Sequence, residues 1–117
     1  MQIKTLPDLT EMVVQFRDER DWKQYHNPKD VAISLSLEVA ELLELMQWRT
    51  GEALDSHLLD NSVAVSEELA DILYWVLLLA HDLNIDLTGA FVAKMRTNAA
   101  KYPVDKAKGS SRKYTEL

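Results

Sequence analysis

Apolar residues recur along most of this chain at intervals of three and four, the spacing of one face of an α-helix. Leu6, Leu9, Val13 and Phe16 form the first such stripe. Thr5, with Asp8 three positions on and Pro7 between them, has the form of a capping box, so a helix is predicted to start near Thr5. The charged run Arg17, Asp18, Glu19, Arg20, Asp21 reads as its solvated end. The stretch 22–28 breaks the pattern; Asn27 then reads as an N-cap and Pro28 as the first residue of a second helix reaching about Trp48. That helix is apolar on most sides, carrying Val31, Ile33, Leu35, Leu37, Val39, Leu42, Leu43, Leu45 and Met46, as central helices are. Residues 49–61 read as a connection holding a short helical turn over 52–58. A third helix is predicted over 62–83, and a fourth from an Asp86 cap to Tyr102, where Pro103 stops it.

Strand-like alternation is absent, so the expected fold is all-α: a compact four-helix bundle over residues 1–103. A basic, flexible tail is expected over 104–117, where Lys106, Lys108, Arg112 and Lys113 flank Gly109. Two helices are too apolar for a lone monomer of this size to cover, which predicts a homo-oligomer.

Against this apolar background four carboxylates stand out. Glu38 and Glu41, and again Glu68 and Asp71, are spaced i, i+3 and share a helix face. If the second and third helices are antiparallel, the two pairs converge. Anions inside an apolar bundle are costly unless a cation compensates them. An all-oxygen set of this kind suits a hard divalent ion, Mg²⁺ or Mn²⁺. A di-iron site would need Glu-x-x-His units, and His26, His57 and His81 all fall outside that spacing. Charged residues at i, i+3 also occur on solvated faces and in salt-bridge networks. The spacing leaves metal site and ion-pair network both open.

Composition removes other classes. With no cysteine, thiolate chemistry and disulfides are excluded. A net charge of −6 argues against long nucleic acid as partner. The N-terminus shows no basic-then-apolar leader, and the longest apolar stretch, 72–80, is too short to span a bilayer. No membrane partner is therefore expected, and the absence of cysteine suits a reducing compartment.

The ordered motifs add more than the spacing does. Phe16-x-x-Glu19-Arg20-x-Trp22-x-Gln24-Tyr25-His26-x-Pro28 comes first, then Leu37-Glu38-Val-Ala-Glu41-Leu-x-Glu44-Leu-x-Gln47-Trp48. Glu67-Glu68-Leu-Ala-Asp71-Ile-Leu-Tyr74, Asp86-Leu87 and Lys94-x-x-x-Asn98-x-x-Lys101-Tyr102-Pro103 follow. Over about residues 13–103 this order resembles the MazG-like nucleoside triphosphate pyrophosphohydrolases, in particular their dCTP pyrophosphatase-like branch.

The resemblance implies hydrolysis of a (deoxy)nucleoside triphosphate to the monophosphate and pyrophosphate, by water attacking the α-phosphorus, in nucleotide-pool house-cleaning. By carry-over Glu38, Glu41, Glu68 and Asp71 are the metal-binding and catalytic set, with Glu44 or Glu67 beside them. Trp22, His26, Trp48 and Trp75 are the expected base contacts. Lys94, Asn98 and Lys101, on one face of the fourth helix, are the expected β- and γ-phosphate contacts. A dimer or dimer of dimers is also implied. Two alternatives stay in view: a non-catalytic oligomeric helical module whose acidic patches bind a basic partner, and a same-fold hydrolase of another pyrophosphate such as phosphoribosyl-ATP.

Overall fold

The computed structural model describes residues 2–117; Met1, part of the stretch read for a leader, lies outside them. The described chain is all-α, as expected, with no strand. Both halves of the predicted capping box form at the start of α1 (Leu6–Glu19): the Asp8 amide donates to the Thr5 hydroxyl at 3.3 Å, and the Thr5 amide donates to the Asp8 carboxylate at 3.0 Å. A 3-10 turn, Lys23–Tyr25, leads to α2 (Pro28–Glu44), capped by Asn27, whose Oδ1 accepts from the Asp30 amide at 2.9 Å.

Helix α2 ends short of Trp48. Met46 and Gln47 both donate to the Leu43 carbonyl at 3.0 Å, closing a turn that leaves Trp48 in the left-handed region at φ 71. The segment read as a connection with a short helical turn is a full helix, α3 (Gly51–Asp60), entered through Gly51 at φ 56. A single residue, Asn61, joins it to α4 (Ser62–Asp82), and the Asn61 side chain donates to the His57 carbonyl at 2.8 Å. Among the described residues no helix is long and apolar enough to cross a membrane.

The chain divides into two compact units, residues 1–85 and 86–117. In the first, α4 is the centre: α2 and α1 pack along it and α3 touches it. His26, just before α2, meets Trp75 in the second half of α4, whereas Glu41 near the end of α2 meets Glu68 in its first half. The two helices are thus antiparallel. The buried apolar core is Val13, Val31, Leu77, Leu78 and Ala80. One further buried side chain is charged. Arg17, read from the sequence as solvated, is 1% exposed and donates to both oxygens of Asp82 at 2.8 and 2.9 Å.

The second unit is built on α5 (Leu87–Lys101). Asp86 caps it, accepting from the Gly89 amide at 3.1 Å, and a Cβ at Gly89 would lie 2.5 Å from that carboxylate, so a larger residue there would push the capping side chain aside. A one-turn helix, α6 (Val104–Ala107), and a 3-10 turn, Tyr114–Glu116, follow. Tyr114 meets Tyr102 edge-on at 5.9 Å, and the Lys101 ammonium lies 4.8 Å from the centre of the Tyr114 ring.

Candidate active site

The antiparallel pairing of α2 and α4 brings three of the four singled-out carboxylates together. Glu38, Glu41 and Glu68 each offer an oxygen within 4.8 Å of the others. Asp71 stands outside that triangle, one turn along α4, and with Glu38 it borders the adjoining cavity. Glu38 and Glu68 are half-buried, Glu41 and Asp71 exposed.

One Oε2 of Glu38 and one of Glu68 are buried without any hydrogen-bond partner. Among the described residues no Lys, Arg or His forms an ion pair with any of the four. The ion-pair network left open by the spacing therefore has no cations. Burial, then the neighbouring Glu41, pushes the Glu68 carboxyl up to about 7. Burial, then Glu41 and the charge of Asp71, raises Glu38 as well. A buried oxygen with no donor beside two other carboxylates is a donor set for a small hard cation, and the residues present fit one.

Beside the carboxylates opens a cavity of about 460 Å³, lined by Met12, Val13, Phe16 and Trp22 from the α1 side, Glu38 from α2, and Asp71, Tyr74 and Trp75 from α4. Its volume is that of a small-molecule site. The aromatic rings form a continuous edge-to-face series. Trp22 meets Phe16 at 5.7 Å, Phe16 meets Tyr74 at 6.1 Å, Tyr74 meets Trp75 at 5.0 Å, and Trp75 meets His26 at 5.5 Å. The Arg20 guanidinium covers the Phe16 ring at 3.7 Å.

Of the expected base contacts, Trp22 and Trp75 line this cavity, and His26 stands behind Trp75 with its Nδ1 buried and unpartnered. Burial first, then the charge of Arg17, lowers the His26 pKa. Trp48 is elsewhere, 92% exposed beyond the end of α2. Met12, Phe16 and Tyr74 were not singled out from the sequence as cavity residues. Tyr74 lies one turn from Asp71, a spacing that ties it to the acidic face, whereas Phe16 lay in the apolar stripe of the first helix and is brought there by the packing of α1 on α4. In the second unit Lys94 is exposed while Asn98 and Lys101 are half-buried.

A helical scaffold that sets a carboxylate cluster without cationic partners against an aromatic cavity has the chemistry that hydrolysis of a nucleotide phosphoanhydride calls for. Comparison with known proteins agrees. The MazG-like family matches residues 33–117. The chain is 42% identical to human dCTP pyrophosphatase 1 and 40% identical to its bovine counterpart, in each case over 97% of this chain and 68% of the relative. The crystal structure of a pyrophosphatase from Archaeoglobus fulgidus superposes with a TM-score of 0.80 at 38% identity, over 88% of this chain and 96% of that one. The chain belongs to the MazG-like family, and it is a nucleoside triphosphate pyrophosphohydrolase. The reading as a non-catalytic helical module falls away.

Proposed function

We propose that the chain hydrolyses dCTP or modified deoxynucleoside triphosphates to the monophosphate and pyrophosphate, with Mg²⁺ held by Glu38, Glu41, Glu68 and Asp71. The observation that carries this is the pair of unpartnered, buried carboxylate oxygens beside an aromatic-lined cavity large enough for a small molecule. The names of the relatives, dCTP pyrophosphatase 1, support the base.

When bound, Mg²⁺ supplies neutralisation of the polyphosphate's charge and activation of water. The protein's own groups do the rest. Trp22, Phe16, Tyr74 and Trp75 hold the base by its faces and edges and keep water off it. A carboxylate of the acidic set, or neighbouring Glu44 or Glu67, orients the attacking water toward the α-phosphorus; the bond between that phosphorus and its bridging oxygen breaks and pyrophosphate leaves. Lys94, Asn98 and Lys101, at i, i+4 and i+7 on α5, bind the departing phosphates. The working unit is a homo-oligomer, for Leu37, Leu43, Leu59 and Val63 are large apolar side chains that the single chain leaves exposed; the cytoplasm as its location follows from the nucleotide-pool role alone. Its role is the removal of surplus or damaged deoxynucleotides.

A pyrophosphate-release screen over standard and modified (d)NTPs, with and without Mg²⁺, tests the proposal. Mg²⁺-dependent turnover highest for cytosine deoxynucleotides is the expected result. Preference for phosphoribosyl-ATP, or turnover that ignores metal chelation, would overturn it.

A further inference from the structure

The buried pair Arg17–Asp82 takes no part in the chemistry above, yet it joins the two helices that carry the aromatic walls. Arg17 follows Phe16 directly on α1, and Asp82 is the last residue of α4, two turns beyond Tyr74 and Trp75. The guanidinium is 1% exposed and its two terminal nitrogens reach the two oxygens of Asp82, a fork-to-fork contact that fixes angle as well as distance. Its Nε has no hydrogen-bond partner, only the Asp18 carboxylate at 4.0 Å.

The same residue holds the neighbouring loop by its backbone. The Arg17 carbonyl accepts from the Trp22 amide at 3.2 Å and from the Arg20 amide at 3.2 Å, and Asp21 turns the chain back at φ 54. The Trp22 ring is thereby folded against Phe16. One residue thus sets the position of Trp22 through its carbonyl and the spacing of Phe16 from Tyr74 through its side chain.

A buried ion pair is a poor device for stability, because the desolvation of both charges offsets their attraction and apolar replacements are often as stable. A bidentate one is a good device for register. We propose that Arg17 and Asp82 are positioning residues that hold the aromatic walls at the separation a nucleobase requires, and so set nucleotide affinity without touching the nucleotide. This rests on the reading of the aromatic cavity as the base site.

The test uses the full chain and the nucleotide it hydrolyses best. In the double variant Arg17→Met/Asp82→Leu the proposal expects urea stability equal to or above that of the native chain, kcat within about twofold, and KM raised about tenfold. The exchange Arg17→Asp/Asp82→Arg restores the pair in reverse and is expected to recover much of the lost affinity. Should the apolar double variant not fold, Arg17→Lys, which keeps the charge but loses the fork, is expected to raise KM about threefold. KM unchanged in the folded variants, with only stability or kcat altered, overturns the proposal. Trp22→Ala run alongside separates the two ideas. If Trp22→Ala leaves KM untouched, the base-site reading has failed; if it raises KM while the pair variants do not, only the positioning role has.

Discussion

Glu38 of α2 and Glu68 of α4 face one another across the helix interface with one oxygen each buried and no donor for either. In the metal-free chain this is a destabilising contact, since burial and like charge both oppose ionisation. Glu68→Gln is therefore expected to raise the melting temperature of the protein in chelator, while abolishing the rise that Mg²⁺ gives the native chain. The native rise should correspond to about 2.7 kcal/mol at a hundredfold excess of metal over its Kd. Turnover of the variant should fall at least about 100-fold, since even groups one step removed from a metal cost ~10–100-fold. Differential scanning fluorimetry and pyrophosphate release read the two effects.

The pH dependence follows from the same carboxyl. Glu68 titrates at about 7 in the folded chain against an ordinary 4.5. Between those values the folded state keeps a proton that the unfolded chain has released, so stability falls as pH rises through this window. Melts in chelator should show a decline from about pH 5 to about pH 7.5 that Glu68→Gln removes. His26, held below its ordinary value, acts with the opposite sign, losing stability as pH falls beneath 6.5. Mg²⁺ affinity should weaken as pH drops through about 7, because the metal competes with the proton.

Trp22→Ala is expected to raise KM with little change in kcat. The loss should lie within ~1–3 kcal/mol, the contribution of one aromatic surface to holding a base. Steady-state kinetics on one nucleotide measures it.

Leu78 is wholly buried in α4 at the centre of the first unit. Leu78→Ala should cost ~2–5 kcal/mol in urea unfolding, from lost transfer energy and the cavity left behind.

Association is expected from the uncovered apolar side chains. Sedimentation should give a species larger than the 13.4 kDa chain, and Leu59→Asp/Val63→Asp should reduce its size.

The helix starts were legible because their signals are local. Thr5 with Asp8, Asn27 with Asp30, and Asp86 with Gly89 each make a bond over three residues, and all three form. Helix α3 was read as a mere turn because Gly51 and a polar surface resemble a loop. Its half-buried residues Leu54, His57 and Leu58 nevertheless hold the i, i+3, i+4 spacing of a packed face. Arg17 was misread for a different reason. It opens a run of five charged residues, and its partner Asp82 is 65 positions away, so nothing nearby in sequence marks it as buried. The acidic residues were legible as a set from their i, i+3 spacing, but spacing on one helix does not say which carboxylates meet those of another. The pairing of α2 with α4 selects Glu38, Glu41 and Glu68 and leaves Asp71 at the cavity.

Trp48 combines a bulky side chain, near-complete exposure and a left-handed backbone. That conformation costs a non-glycine residue ~1–2 kcal/mol, and the exposed ring recovers nothing for it within the chain. Trp48→Gly should accordingly melt higher, which a thermal melt would read. A campaign of thermostabilisation guided by melting temperature alone would replace this tryptophan among its first choices, because nothing inside the single chain holds the ring in place.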